Sequence, residues 1–270
     1  PVEKRAFPDG EVCPRIVGDV DNHAIVAERL SLPLDPNRYL IETLFITRNL
    51  RALGVEKIDV VMPYFIYSRQ DKVFRKGEPH SAKYVLELLE KAGATRFFTV
   101  SSHVNRNDEK ISLTPMPAYN INGFESIGNQ LKKFDLHNPV VVGADLGVSH
   151  STETIANILG AESFAFQKKR DLNTGEIIVK GNLNVEGRDI VIVDDIISSG
   201  RTMLNSIEIC NSSGADRILC TAVHPALATG VFEKISSKVW KFIATDTISS
   251  PISEISVTES IAEKIKSSAA

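Results

Sequence analysis

One local pattern occurs three times along the chain: a helix end, a glycine, a basic residue and then a short apolar strand. It is found in RALGVEKIDVVMPY (51–64), EKAGATRFFTVSSH (90–103) and NSSGADRILCTAVHP (211–225). The glycine suits the left-handed conformation that ends many helices, and the basic residue stands where the strand begins. Repeated helix–strand units with continuously apolar strands predict parallel sheets that are covered by helices on both faces.

Helical spacing of apolar residues predicts helices over 40–53 and 82–92, and a final amphipathic helix near the C-terminus. Further strands are predicted at 139–145, 163–168 and 189–195. The segment LKKFDLHNP (131–139) is the best candidate for a linker between two α/β halves. Residues 168–189 predict an exposed hairpin, with Asn173, Thr174 and Gly175 at its turn.

Composition excludes several classes of protein. The chain has 270 residues and a net charge of −3, so no general field attracts polyanions and non-specific nucleic-acid binding is disfavoured. No apolar run reaches the roughly 18–20 residues that span a bilayer, and no signal-peptide pattern opens the sequence. The three cysteines lack metal-type spacing, which indicates reduced thiols and a cytoplasmic protein, with Cys210 and Cys220 in the core.

Polar residues follow six of the predicted strands, at the edge where open parallel sheets bind ligands. The most informative segment is DIVIVDDIISSGRTM, from residue 189. An apolar strand runs into Asp194 and Asp195, and a helix is expected to start near Met203. The loop between them offers hydroxyls and free backbone N–H groups beside the positive end of that helix, and therefore predicts a phosphate site. It comprises Ser198, Ser199, Gly200, Arg201 and Thr202.

The two aspartates would repel a phosphate, so we expect them to bind something else. Carboxylates suit the vicinal hydroxyls of a sugar or a metal ion, and a sugar phosphate would satisfy both halves of the segment. An apolar strand ending in two acids also resembles a Walker B site, but G-x-x-x-x-G-K-[ST] and G-x-G-x-x-G are both absent from the sequence. A purely structural turn before a helix is the remaining alternative.

The segment VIVDDIISSGRT resembles the phosphoribosyl-diphosphate motif shared by type I phosphoribosyltransferases and ribose-phosphate diphosphokinases. Other segments resemble the diphosphokinases in particular, in their order along the chain, and especially the short archaeal forms. These are FPDGE (7–11), PYFIYSRQDKVFRKGEPHSAK (63–83), the histidine of TVSSH, VVGAD (141–145), KKRD (168–171) and TDTI (245–248).

This resemblance implies an α/β fold of two phosphoribosyltransferase-type (type I) domains, each a mainly parallel sheet flanked by helices. Residues 1–130 would form the ATP-side domain and residues 131–256 the ribose 5-phosphate domain, with the helix at 257–270 packing back on the first. It also implies transfer of diphosphate from MgATP to ribose 5-phosphate, which yields phosphoribosyl diphosphate (PRPP) and AMP for nucleotide biosynthesis. The expected cofactor is Mg²⁺, and the expected assembly is a homo-oligomer, a dimer or larger, with the ATP site near a subunit interface.

The resemblance also assigns roles to individual residues. Lys168 and Arg170 would be the catalytic basic pair, and Arg170 would also contact ribose 5-phosphate. Asp194 and Asp195 would hold the ribose hydroxyls, and the loop at 198–202 would hold the 5-phosphate. His103 and Asp145 would serve the metal–triphosphate. ATP would be bound by Phe7, Asp9, Gly10, Glu11, Arg69, Gln70 and His103. We expect His224 to be a hydrogen-bonded histidine at a strand end.

Several positions depart from the family pattern. Ser101 and Ser102 stand where the family usually has Asp-Leu, Val148 follows Gly147 where a second glycine is usual, and Arg201 replaces the second glycine of the phosphate loop. The resemblance also leaves no counterpart for the first strand and helix that normally precede FPDGE, so we expect either that native N-terminal residues are missing or that another subunit covers the exposed edge. These departures keep two alternatives open: a non-catalytic relative that regulates an active enzyme, and a phosphoribosyltransferase that consumes PRPP.

Overall fold

The computed structural model describes residues 1–104, 108–170, 177–180 and 185–268, which form two compact units. The first unit contains residues 1–121 and 259–270, and the second contains residues 122–258. Within the described residues, no helix is both long enough and apolar enough to cross a membrane. The helices are α1 (Pro36–Ala52), α2 (Ser81–Ala92), α3 (Gly123–Leu131), α4 (Ser149–Leu159), α5 (Arg201–Ser212), α6 (Val231–Ser236) and α7 (Thr258–Ser267).

The strands are short, as the sequence predicts for sheets covered by helices. Those of the first unit are β1 (Val2–Ala6), β2 (Val12–Ile16), β3 (His23–Ala27), β4 (Leu30–Ser31), β5 (Lys57–Val61), β6 (Arg96–Val100) and β7 (Ala118–Ile121). Those of the second are β8 (Val140–Gly143), β9 (Glu162–Ala165), β10 (Gln167–Arg170), β11 (Ile177–Lys180), β12 (Ile190–Ile196), β13 (Ile218–His224), β14 (Lys241–Thr245), β15 (Ile248–Ser249) and β16 (Ser253–Ile255).

The first unit is built on a four-stranded parallel sheet in the order β3-β5-β6-β7. Strands β5 and β6 are almost wholly buried, which is why their sequences are mainly apolar. β1 and β2 form a separate antiparallel hairpin that packs on α1. β3 is an edge strand of the sheet, and its Ile25 side chain is half exposed.

The second unit is built on a six-stranded parallel sheet in the order β16-β14-β13-β12-β8-β9. β12 lies between β13 and β8 and pairs with both in parallel. β10 and β11 form the predicted hairpin as an antiparallel pair, and its predicted turn at Asn173, Thr174 and Gly175 lies outside the described residues. The predicted core positions of Cys210 and Cys220 are confirmed, since both side chains are fully buried.

In two of the three repeated units, the basic residue forms an ion pair with a buried aspartate. Arg96 donates to both carboxylate oxygens of Asp59 on the neighbouring strand β5. Arg217 donates in the same way to Asp189, just before β12. Burial alone would raise the pKa of Asp59, but the hydrogen bonds from Arg96 and His23 hold it below its usual range. In these two repeated units, the basic residue therefore holds the start of its strand against the start of the neighbouring strand.

Two element limits differ from the sequence predictions. β12 runs from Ile190 to Ile196, one residue beyond the predicted strand at 189–195, and it includes Asp194 and Asp195. α5 begins at Arg201 and not near Met203, because Gly200 turns the chain into the helix two residues earlier. Along the chain, the first unit gives way to the second between residues 121 and 122, and α3 belongs to the second unit because it packs on α4 and β13. The domain limits at 130/131 and 256/257 stay a prediction.

Candidate functional site

The predicted phosphate loop connects the central strand β12 to helix α5. Gly200 adopts a left-handed φ of +70°, and its carbonyl accepts the first helical hydrogen bond from Leu204 at 2.9 Å. The first amides of a helix have no acceptor within the helix, so this end of α5 carries a partial positive charge. Ser198 and Thr202 are half-buried, whereas Ser199 and Arg201 are exposed. The Arg201 side chain therefore does not fill the loop.

Close packing beneath the loop requires glycine at position 200. A β-carbon there would lie 2.7 Å from Val231 Cγ1, on helix α6. The positive φ is also unfavourable for any residue with a β-carbon. The glycine is thus needed both for its conformation and for the contact with α6.

Asp194 and Asp195 end the buried part of β12, next to the loop. Both side chains are largely buried, and each accepts a hydrogen bond from the following backbone amide at 2.9 Å. Burial, together with the nearby carboxylates of Asp195 and Asp145, holds the pKa of Asp194 well above its ordinary value. A site that keeps a carboxyl group at this cost favours ligands that stabilise its ionised form, such as hydroxyl donors or a cation.

Asp145 lies beside this pair because β8 and β12 are in register. Val193 pairs with Gly143, and the Ala144 amide donates to the Val193 carbonyl at 2.9 Å. Asp145 Oδ1 accepts from the Gly147 amide at 2.8 Å, which fixes the turn that leads into α4. Val148, one of the positions that departs from the family pattern, is buried in that turn. The second unit therefore brings together Asp145, both aspartates of β12 and the phosphate loop.

The donor set suits Mg²⁺ only if the ion brings other ligands with it. Within the described residues, no group of three or more His, Cys, Asp or Glu side chains is arranged to hold a metal. Mg²⁺ commonly binds through one or two carboxylates, several waters and the phosphates of a substrate, which needs no such group. Asp145 therefore fits an ion that arrives with a nucleotide, and His103, the other predicted metal residue, lies in the first unit.

His224 ends β13, next to β12, and lies at the same edge of the sheet. It is buried, and its Nδ1 atom is 2.9 Å from the Thr247 hydroxyl, so the prediction of a hydrogen-bonded strand-end histidine is confirmed. The hydroxyls of Thr245 and Thr247 both donate to the carbonyl of Val223, at 2.6 and 2.8 Å. Sequence reasoning gave neither threonine a role, although TDTI was part of the resemblance.

Arg69, Gln70 and His103 lie at the corresponding edge of the first unit, after the adjacent strands β5 and β6. Arg69 is exposed, and Gln70 Nε2 donates to the Lys72 carbonyl at 3.1 Å. The neighbours of His103 are structural: Ser101 has a φ of +38°, and the amide of buried Ser102 donates to Asn120 Oδ1 at 2.7 Å. The two serines thus fix the turn before His103 and bring no carboxylate to it.

The predicted adenine-contact residues form the tip of the β1–β2 hairpin, which is separate from the four-stranded sheet. Phe7, Asp9, Gly10 and Glu11 are all exposed. The turn is closed by a hydrogen bond from the Phe7 amide to the Glu11 carbonyl at 2.8 Å, and Gly10 has a φ of +93°. An exposed, well-formed tip is suited to contact with another molecule.

Lys168 and Arg170, the predicted catalytic pair, both lie on β10 in the second unit. Their backbones pair with Val179 and Ile177 of β11. The predicted functional residues are thus divided between the units: the ATP set lies in the first, and the basic pair, Asp145 and the sugar-phosphate set lie in the second.

Comparison with known proteins covers both units. Residues 1–93 match the model of the N-terminal domain of ribose phosphate pyrophosphokinase, and residues 117–256 match that of the phosphoribosyl transferase domain. A ribose-phosphate pyrophosphokinase of Methanothermobacter thermautotrophicus is 38% identical, over 98% of this chain and 91% of its own. The chain belongs to the ribose-phosphate pyrophosphokinase family. The enzyme of that name from Pyrococcus furiosus is 35% identical, over 96% and 90% of the two chains.

A solved structure supports the same membership of the pyrophosphokinase family. The phosphoribosylpyrophosphate synthetase of Mycobacterium smegmatis superposes with a TM-score of 0.85, at 25% identity, and the match covers 99% of this chain and 90% of that one. The predicted fold, two type I phosphoribosyltransferase-like domains built on parallel sheets, is confirmed.

Proposed function

We propose that this chain is an active ribose-phosphate diphosphokinase, which converts MgATP and ribose 5-phosphate into PRPP and AMP. The observation that carries the proposal is the end of β12, where two buried carboxylates adjoin a glycine-turned loop at the start of α5. This arrangement has a place for both parts of a sugar phosphate. Membership of the pyrophosphokinase family supplies the reaction that such a site would serve.

In the proposed complex, the second unit binds ribose 5-phosphate. The 5-phosphate accepts hydrogen bonds from the loop at 198–202, including Ser198, Ser199, Gly200 and Thr202, while exposed Arg201 adds positive charge. Asp194 and Asp195 accept hydrogen bonds from the ribose hydroxyls. Binding in this orientation fixes the sugar at both ends, so that its C1 hydroxyl is held for attack.

In the reaction, the C1 hydroxyl oxygen forms a bond to the β-phosphorus of ATP and loses its proton, while the bond from that phosphorus to the α-phosphate oxygen breaks and AMP leaves. Asp145 and His103 are assigned to hold the Mg²⁺ of MgATP, which would neutralise phosphate charge. Lys168 and Arg170 are assigned to the charge that develops on the transferred group, because fixed cations stabilise it without reorganisation.

The ATP set belongs to the first unit. Arg69 is exposed after β5, and its guanidinium suits a phosphate; Gln70 and His103 follow at the same edge. The hairpin tip, with Phe7, Asp9, Gly10 and Glu11, is assigned to the adenine of a neighbouring subunit. The exposure of the Phe7 ring supports a role in contact with another molecule.

We further propose that the chain forms a homo-oligomer through the outer face of α1 and α2. Successive right-handed crossovers place both helices on one side of the first sheet, where they pack together. Ile41, Phe45, Tyr84 and Leu88 point outward from them and are each 42–51% exposed. Four such side chains present on the order of 400 Å² of apolar surface, within the range of functional patches. The ion pair between Lys83 and Glu87 on α2 supplies both charges for a two-fold contact.

A non-catalytic regulatory relative is the second candidate, favoured by the structural use of Ser101 and Ser102 next to His103. One assay separates the candidates: the protein is incubated with ribose 5-phosphate and ATP over a series of divalent metals, and AMP and PRPP are measured. Formation of both products in equal amounts supports the diphosphokinase. ATP binding without product would favour the regulatory relative, and release of diphosphate from PRPP plus a base would indicate a transferase.

A further inference from the structure

The phosphate loop is held from one side by the segment that follows β13, residues 224–231, here called the bracing segment. The carbonyl of His224 accepts from the Ile197 amide at 3.0 Å, at the entry to the loop. The Ala228 amide donates to the Ser198 carbonyl at 3.1 Å, inside the loop. Val231 packs against Gly200, at the centre of the loop. The bracing segment therefore contacts the residue before the loop, the first residue of the loop and its central glycine.

The bracing segment is in turn fixed by the buried ring of His224. The Thr247 hydroxyl carries a single hydrogen, which it donates to the Val223 carbonyl at 2.8 Å. With that hydrogen on the Val223 carbonyl, Thr247 Oγ1 acts as acceptor at the His224 contact of 2.9 Å, and we infer that His224 carries its proton on Nδ1. A buried donor and acceptor paired in this way are costly to separate, which holds the ring and its backbone in one position.

We propose that His224 and Thr247 are positioning residues for sugar-phosphate binding, acting through the bracing segment on the loop at 198–202. Neither residue is assigned a contact with substrate. The hydrogen bond between them fixes the His224 carbonyl, which sets the position of Ile197 and, with Ala228 and Val231, the backbone of the loop. The inference rests on the proposed function, because it takes the loop to be the site of the 5-phosphate.

Thr245 and Thr247 both donate to the Val223 carbonyl, so variants of these two residues can be compared. Thr247→Val removes the partner of His224 and the bond to Val223. Thr245→Val removes a hydroxyl that is bonded to Val223 and, at 3.2 Å, to Thr247, but not to His224. Thr247→Ser keeps the acceptor, and His224→Asn keeps a donor near the Nδ1 position. Any effect seen in Thr247→Val but not in the other three variants belongs to the His224–Thr247 bond.

We expect Thr247→Val to raise the KM for ribose 5-phosphate about tenfold, the factor that one net hydrogen bond supplies. The KM for ATP and kcat should stay within about twofold, as expected for a loss confined to the binding of one substrate. Amide hydrogen exchange of the peptides that contain Ile197 and Ala228 should accelerate in the same variant. The other three variants should resemble the wild type in these measurements.

Hydrogen exchange and calorimetric titration with inorganic phosphate do not depend on turnover, so they test the inference even if the wild type makes no PRPP. Absence of product from the wild type would count against the proposed function alone. Equal changes in Thr247→Val and Thr245→Val, or a lower Tm without a selective change in sugar-phosphate or phosphate binding, would show a merely structural role and overturn the inference.

Discussion

Gly200 lies so close to Val231 that a β-carbon at position 200 would stand 2.7 Å from Val231 Cγ1. Gly200→Ala should therefore weaken ribose 5-phosphate binding at least tenfold, because either the loop or α6 must shift. Gly160→Ala is a matched control: Gly160 has a similar φ of +64° but no atom within 4 Å of the added carbon. The control should lose about 1–2 kcal/mol of stability from backbone strain alone and keep its affinity. Calorimetric titration and thermal denaturation measure both effects, and equal affinities in the two variants would contradict the role of the contact.

Asp194→Asn should stabilise the fold and abolish sugar-phosphate binding. The folded state holds the pKa of Asp194 above its unfolded value, so it binds the proton more tightly than the unfolded chain does. The contribution of Asp194 to the stability is therefore largest below the pKa that this residue has in the unfolded chain, and it is lost as the pH rises to the pKa in the folded state. Asparagine cannot ionise, so the variant does not lose this stability at neutral pH. Each unit by which the folded and unfolded pKa values differ corresponds to about 1.4 kcal/mol of unfolding free energy. Thermal unfolding as a function of pH tests this expectation. A variant less stable than the wild type at pH 7 would contradict the burial argument.

Lys168→Ala should reduce turnover without unfolding the protein. Loss of one preorganised group that stabilises developing charge costs on the order of 2.7–4 kcal/mol, or about 10²–10³ in kcat. Lys169→Ala, the same change at the next position of β10, is the control and should retain most activity. Steady-state rates of AMP formation and circular dichroism distinguish the outcomes. Near-normal turnover of the Lys168 variant would show that its catalytic assignment is wrong.

Arg201→Glu should raise the KM for ribose 5-phosphate several-fold at low ionic strength. Residue 201 is exposed at the first position of α5, where a negative charge opposes a bound phosphate. Because salt screens exposed charges, the difference in this KM between Arg201→Glu and Arg201→Gln should become smaller as the salt concentration rises from about 0.01 to 1 M. A KM that does not change with charge or with salt would indicate that this side chain is directed away from the phosphate.

Phe45→Glu should dissociate the proposed oligomer, because it places a charge in the middle of the apolar face of α1 and α2. Leu53→Glu changes an equally exposed residue at the C-terminal end of α1, outside that face, and should leave the assembly intact. Light scattering after size-exclusion chromatography gives the mass of each. If both variants keep the wild-type mass, the contact lies elsewhere.

Sequence patterns predicted the parallel sheets because continuous burial leaves a clear mark on composition, as in Val191 and Ile192 of β12. They also placed Asp194 and Asp195 next to the phosphate loop, since chain adjacency alone brings them together. Contacts across strands were not predictable in this way. The partner of Arg96 is Asp59, 37 residues earlier in the chain, and that of His224 is Thr247 on another strand connection. Such pairs depend on strand order and register, for which local spacing carries no information.

The position of β12 has a consequence for heat inactivation. Its main chain is hydrogen-bonded to β13 on one side and to β8 on the other, so Asp194 and Asp195, the residues proposed to bind the ribose hydroxyls, stand on a central and almost wholly buried strand. Central strands usually unfold only when the whole unit unfolds, whereas loops and edge strands unfold locally far more readily. We therefore expect the capacity to bind ribose 5-phosphate to survive up to the temperature at which the second unit melts, and to disappear with it in one transition.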